Sequence, residues 1–238
     1  MPTFAEWFDL AALGEVLRAP FEAEGVDPEA PWTVLAGLDA VLPGRIEADL
    51  ASGAAEPASA ATRADVHPTA ILEGDVALHP GAQVGPYAWI QGPAWIGPGA
   101  RIGHAAVVRG GAMLGADVNV GHASEIKRSL LLPGAKAPHF AYVGDAVLGR
   151  DVNLGAGVKV ANLKHDGGNV AVDGVDTGLR KFGACLGDGV AVGCNAVLGP
   201  GAVVGARSRI YAGAVVAGRV PAGVIVKHRP HLETAALR

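Results

Sequence analysis

The chain is 238 residues long, half apolar but only 5% aromatic, and carries 35 glycines, a composition for packing small side chains in one sizeable domain with at most a small extension. Its formal charge of −4 gives no reason to expect nucleic acid or an acidic membrane surface as partner. Two cysteines, Cys185 and Cys194, are too few for a disulfide framework or a cysteine-rich zinc site.

The first ten residues, MPTFAEWFDL, lack the basic and apolar regions of a secretory signal. No apolar run is long enough to span a bilayer, so a soluble cytoplasmic protein is expected. Leu10, Leu13 and Leu17 have helical spacing, as do Leu35, Leu38, Val41 and Leu42. Asp27-Pro28 reads as an N-cap with proline at the first helical position, and Pro43-Gly44 as the stop of that helix. Residues 51–64, ASGAAEPASAATRA, read as a linker. Residues 1–64 are thus expected to be a helical cap and linker covering the open first coil of a repeat domain that starts at residue 65.

From Val66 every sixth residue is aliphatic through Leu72, Leu78, Val84, Ile90 and Ile96, and onward to Ile126 and Leu132. Most are preceded two positions earlier by alanine and many are followed by glycine. The same thread returns at Leu186, Val192, Leu198, Val204, Ile210 and Val216. A six-residue period marks a parallel β-helix in which three hexads make one triangular coil. The aliphatic residue and the alanine two before it share one side of each strand and point into the prism. The expected domain is residues 65–230, with a loop insertion at 161–182 and a tail at 231–238.

Residues eighteen apart should sit one above the other, ~4.8 Å apart. Arg109 and Lys127 are so related: either they hold an anion such as a phosphate, or they splay apart in solvent. His104 and His122 are also eighteen apart and suggest the metal site of γ-class carbonic anhydrases, but five residues on, where that site has a further histidine, stand Arg109 and Lys127; corner residues facing solvent or a subunit seam are expected instead. After Leu132 the next large aliphatics are Val143, Leu148, Leu154 and Val160, which places a register slip around His139. There His139 can be a general base with Glu125 as orienting carboxylate, or a corner histidine filling space beside Phe140. The insertion offers Asn162, Lys164, His165, Arg180 and Lys181 to anionic ligands, unless it is a disordered, tolerated loop. Neither cysteine has an activating base at hand, so both read as packing residues.

The stretch GHASEIKRSLLLPGAKAPHFAYVGDAVLGRDVNLGAGVKVANLKHDG, residues 121–167, resembles the acetyltransferase half of bifunctional glucosamine-1-phosphate acetyltransferase/N-acetylglucosamine-1-phosphate uridyltransferase. TGLRKFGACLGDGVAVGCNAVLGPG, residues 177–201, is similar to the C-terminal β-helix of archaeal-type sugar-phosphate nucleotidyltransferases. The resemblance implies a mainly β protein, a left-handed parallel β-helix with a short helical N-terminal segment. It implies a homotrimer with active sites between subunits, acetyl-CoA as donor and no metal. His139 would be the base and Glu125 its orienting partner. Arg109, Lys127 and Tyr142 would hold the acceptor's phosphate, with Asn153 and Asn162 on the sugar or acetyl group. Lys164, Arg180 and Lys181 are the candidates for the cofactor. The first 64 residues have no Gly-rich nucleotide-binding signature and are too few for that domain, so no nucleotidyltransferase half is expected in this sequence, and Leu163 stands where the bifunctional enzyme has an aromatic. An acyl-carrier-protein-dependent sugar-nucleotide acyltransferase and a non-catalytic sugar-nucleotide-binding trimer are the alternatives; a metal-dependent hydratase is the third.

Overall fold

The inward positions of the hexads decide the architecture. In the computed structural model, which describes residues 4–57, 64–229, 233 and 236, short strands stack into three parallel walls of nine, nine and eight strands. Among the described residues only Glu56–Pro57 joins a wall antiparallel, against Val76–Leu78. The fold of this chain is therefore a mainly β parallel β-helix, with the left hand that the resemblance implies. Its interior is a column of Val, Ile and Leu with the alanines two positions earlier beside them, almost all fully buried. Each such aliphatic contributes ~1.5–3 kcal/mol by leaving water.

The outward positions distinguish the walls. On the first, Trp95, Met113, Leu130, Val147, Cys185 and Val203 are apolar and buried. On the second, Gln83, Arg101, Lys136, Asn153 and Arg209 are exposed. The third reads Ile71, Trp89, Val107, Glu125, Tyr142, Lys159, Val197 and Val215, a polar centre between apolar ends.

The N-terminal segment covers the first wall. Its helices are α1 (Phe4–Trp7), α2 (Glu15–Glu22) and α3 (Val34–Ser52), with 3₁₀ turns at Leu10–Ala12 and Pro31–Thr33. Phe4, Phe8 and Phe21 meet edge to face with centroids 5.2–6.5 Å apart. A Cβ on Gly37 would lie 2.0 Å from the carbonyl oxygen of Pro20, so the close approach of α2 and α3 requires glycine there. The segment lies along a wall rather than over the first coil. Of the edges that coil presents, that of Val76–Leu78 alone is paired among the described residues, by Glu56–Pro57. The reason is the apolar outward column of the first wall, which offers more surface to bury than a coil's open end. Residues 58–63 of the expected linker, and the expected tail apart from 233 and 236, lie outside the described residues.

Two helix boundaries differ from expectation. Asp27 accepts a hydrogen bond from the Glu29 backbone in a turn, and α3 begins only at Val34. Pro43-Gly44 does not stop α3, which continues to Ser52 and ends at Gly53 with φ 72°. An interior proline costs ~3 kcal/mol or more. Beyond it, however, the helix buries Ile46 and Asp49 against the wall. Asp49 accepts from Trp95 Nε1 at 2.7 Å, lies 3.2 Å from His79 Nε2 and is bonded by Arg45.

The register slips are also placed differently. Coil partners are eighteen residues apart up to Val107↔Glu125, and seventeen from Met113↔Leu130 to Tyr142↔Lys159. The missing residues are at the corners holding Arg128-Ser129 and Asp145-Ala146. Leu131, not Leu132, faces the interior, and Ala137 takes the next inward place. Leu132 belongs to the outer cluster under the helices. The thread therefore runs regularly through His139. Ser129, fully buried, patches the first short corner: its hydroxyl donates to Lys127 O and accepts from Ala146 N.

The insertion is ordered. It forms a hairpin, Ala171–Val172 with Val175–Asp176, closed by a bridge between Leu163 and Lys181. Val170, Val172 and Phe182 pack into the N-terminal cluster, Phe182 lying 6.4 Å from the Trp32 ring.

Trp95→Phe should remove a donor from a buried carboxylate and lower stability by about 1–3 kcal/mol, with the near-ultraviolet dichroism of the helical segment altered. Chemical denaturation monitored by both far- and near-ultraviolet signals checks this.

Candidate functional site

The short corners draw side chains of three coils together on the third wall. Lys127 and Arg109 are direct register partners, as are Glu125 and Tyr142. The stacking of the two cations is thus real, but neither stands bare. Arg109 Nη1 donates to Glu125 Oε1 at 3.1 Å across a largely exposed pair. Lys127 Nζ lies 2.9 and 3.1 Å from the two carboxylate oxygens of Asp145.

Asp145 is the centre of this constellation, and no reading of the repeat singled it out. Its side chain is 1% exposed, and it sits at φ 48° at the second short corner. Besides Lys127 it accepts from Arg128 Nη1 at 3.2 Å and from Asn162 Nδ2. Arg128, itself at φ 42°, also bonds Asp39 on α3. Burial works against the Arg128 charge, but the hydrogen bonds and charges of Asp39 and Asp145 outweigh it and hold the guanidinium further above its ordinary range.

Tyr142 folds back over Gly144. A Cβ there would meet Tyr142 Oη at 2.6 Å and Asn162 Nδ2 at 2.7 Å, so glycine is needed to let the phenol lie beside the amide. Burial, and then the Glu125 and Asp145 charges, push the Tyr142 phenol above its ordinary range, against the opposing pull of Asn162 and Arg109. It is a neutral donor at physiological pH.

His139 is exposed at the edge between the second and third walls, directly over His122 in the backbone register. Below it, the His122 and His104 rings are parallel within 11° and 4.8 Å apart, Nδ1 to Nδ1 at 2.8 Å. His122 Nδ1 also lies 3.2 Å from His104 O. A carbonyl only accepts, so the contact with His104 O is a hydrogen bond in the tautomer of His122 whose proton is on Nδ1. Phe140 meets His122 edge-on at 5.0 Å. Among the described residues the hydrogen bond of Glu125 goes to Arg109, two places along the neighbouring strand, rather than to His139.

Asn153 lies on the second wall, next to Lys136 in register, apart from the Tyr142 group. Of the cofactor candidates, Lys164 bonds Asp166 and Asn169 O, and Arg180 bonds Gly167 O. Both are engaged within the insertion, whose Asn162 alone joins the cluster. Cys185 is buried under the helices with its thiol pushed far up by desolvation, whereas Cys194 is exposed. Among the described residues no group of three metal-ligating side chains converges, and no helix is long and apolar enough to cross a membrane.

A hexapeptide-repeat β-helix with a polar cluster at two shortened corners is thus the class of protein that fold and site define. More particularly, residues 90–181 match the family model of the GMPPB C-terminal domain. The chain is 43% identical over 74 residues to the bifunctional sugar-1-phosphate nucleotidylyltransferase/acetyltransferase of Sulfurisphaera tokodaii, covering 29% of this chain and 18% of that protein. It is 41% identical over 71 residues to the bifunctional protein GlmU of Methanococcus vannielii, covering 29% of this chain and 17% of that one. The match thus spans less than a fifth of the length of these curated relatives. A solved Bacillus cereus structure is matched at 18% identity and TM-score 0.43, over 71% of this chain and 81% of that one. The family-model match and the two curated relatives agree with the resemblance read from residues 121–167 and 177–201.

In an ultraviolet pH titration Tyr142 should ionise above the ordinary tyrosine range, and Tyr142→Phe should remove that late step. Because its folded-state pKa lies above that of the unfolded chain, its contribution to stability is full below pH ~10 and declines as pH rises through the folded value. Unfolding midpoints measured on both sides of pH ~10 for wild type and variant check the sign.

Proposed function

We propose that this protein is an acyltransferase acting on an amino-sugar phosphate or sugar nucleotide, with acetyl-CoA as donor. The observation carrying this reading is the run from Glu125 to Asn162. It resembles the acetyltransferase half of the bifunctional family, and its Glu125, Lys127, Tyr142 and Asn162 gather on one wall close to the edge that bears His139. The named activities of the Sulfurisphaera relative support it.

In this reading the exposed His139 takes the proton from the acceptor amine as it attacks the thioester carbonyl. As the C–N bond forms the C–S bond breaks, and the leaving thiolate takes up that proton and departs as free CoA thiol. The thioester supplies an activated acyl group, so no covalent enzyme intermediate is needed. Tyr142 donates its phenol proton in a hydrogen bond to an acceptor oxygen. Asn162, its amide nitrogen committed to Asp145, presents its carbonyl oxygen. Arg109 meets the acceptor's phosphate. Glu125, held by Arg109 here, and Asn153, on the next wall, come to the reacting atoms only if a second copy abuts this edge, as in the homotrimer that the resemblance implies. Lys164, Arg180 and Lys181 remain the candidates for the donor's phosphates.

One observation favours a second reading, acyl-carrier-protein-dependent transfer of a longer chain. The third wall carries exposed apolar residues on either side of the polar centre, Val215 at 75% and Ile71 at 56% exposure among them, a track along which an alkyl chain can lie.

Purified protein mixed with acetyl-CoA and glucosamine-1-phosphate should release free thiol, and His139→Ala should reduce the rate by ~10²–10⁴-fold. Undiminished release in the variant would dismiss His139 as base. Release only with longer acyl thioesters on a carrier protein would favour the second reading.

A further inference from the structure

Two stacked cations face the proposed site, yet the structure gives them different freedoms. We propose that Asp145 is the positioning residue of this site. It withholds Lys127 from an anionic ligand, leaves Arg109 as the cation that such a ligand meets, and fixes the amide of Asn162. The kinetic half of this inference rests on the acyl-transfer reading; the binding half does not.

The argument starts from burial. Lys127 and Asp145 are 20% and 1% exposed in their side chains, whereas Arg109 and Glu125 are 46% and 34% exposed. An exposed pair is screened and holds its partners weakly, so a phosphate can take Arg109 from Glu125. Removing one member of a buried pair leaves the other charge desolvated and uncompensated, so a phosphate cannot readily draw Lys127 from Asp145. Both oxygens of Asp145 are engaged by Lys127, and Arg128 and Asn162 complete its shell. A carboxylate only accepts, so it binds the Asn162 amide by its nitrogen and turns the carbonyl oxygen away. Arg128 is shared with Asp39 on α3, itself 45% exposed. The helical segment therefore has a hand in how firmly Asp145 holds Lys127: the more Arg128 is drawn to Asp39, the more of Asp145 remains for Lys127. The cluster's three cations, Arg109, Lys127 and Arg128, are matched by Glu125, Asp145 and Asp39. Affinity for a phosphate then comes from an exchange of partners rather than from a standing excess of positive charge.

The test uses the full-length chain and two probes, inorganic phosphate and glucosamine-1-phosphate, titrated by calorimetry. Asp145→Asn keeps the shape and removes the charge, freeing Lys127. Phosphate should then bind about tenfold tighter. In the thiol-release assay KM for the sugar phosphate should fall while kcat falls about tenfold, because Asn162 is no longer fixed. Arg109→Ala should abolish phosphate binding in the wild-type background but not in Asp145→Asn, where Lys127 takes over. A folded Asp145→Asn protein with unchanged phosphate affinity would overturn the proposal, as would phosphate binding in neither wild type nor variant. If Asp145→Asn fails to fold, Arg109→Ala and Lys127→Met decide. Loss of phosphate binding in the first with little change in the second supports the proposal; the reverse overturns it. Should wild type transfer no acetyl group, the function reading fails separately, and the phosphate series still decides.

Discussion

Every feature of this molecule depends on the hydrogen-bonded register between one coil and the next. Because strands pair in parallel with a constant offset, an outward side chain repeats its position coil after coil and forms a column. A column has one character along its length only if selection acts on each coil. Here one wall is apolar and roofed by helices, one is polar, and one changes from apolar to polar and back. The prism within is too narrow for aromatics, which explains their scarcity. The aromatics that do occur are on the outside: Trp95 under α3, Phe182 against Trp32, and Tyr142 over Gly144.

Shortening two successive corners by one residue each has local and chemical consequences. Locally, Arg128 and Asp145 occupy left-handed backbone at these bends, as residues at the regular corners also do, and at the first of them a serine hydroxyl takes over backbone hydrogen bonding. Chemically it turns Asp145 under Lys127 and Arg128, so that a buried carboxylate gathers side chains from two coils and from the start of the insertion. Buried charges are tolerated only when paired and hydrogen-bonded, and Asp145 meets that condition with every group that it touches.

The same helix reaches the β-helix through two carboxylates of different kinds. Asp49 is buried and ties the C-terminal half of α3 to Trp95, while Asp39 is exposed and shares Arg128 with the polar cluster. The cost of Pro43 inside α3 is borne because the helix beyond it carries Asp49 and Ile46 to the wall. An isolated peptide of this sequence would gain nothing from continuing.

The repeat determined a good deal without help. Six-residue spacing with alanine two places earlier has one physical solution, a prism with a narrow apolar interior, so the fold class and most inward residues were legible. So were the stacking of Arg109 on Lys127 and of His104 on His122, since both follow from an offset of eighteen. The slip was misplaced because Leu130, Leu131 and Leu132 are alike in sequence and only packing tells which of them faces inward. Ala137, an inward residue too small to be noticed as a thread position, made the regular stretch around His139 look broken. Asp145 was invisible because a carboxylate's role depends on which coils meet at a shortened corner, and that is a property of the stacked register rather than of neighbours in the chain. For the same reason the partners of Glu125 and Lys127, and the placement of the helical segment along a wall instead of over an end, were decided only in three dimensions. Periodicity specifies what lies inside the prism; which polar groups meet outside it is set by small departures from that period, and these acquire meaning only once the coils are stacked.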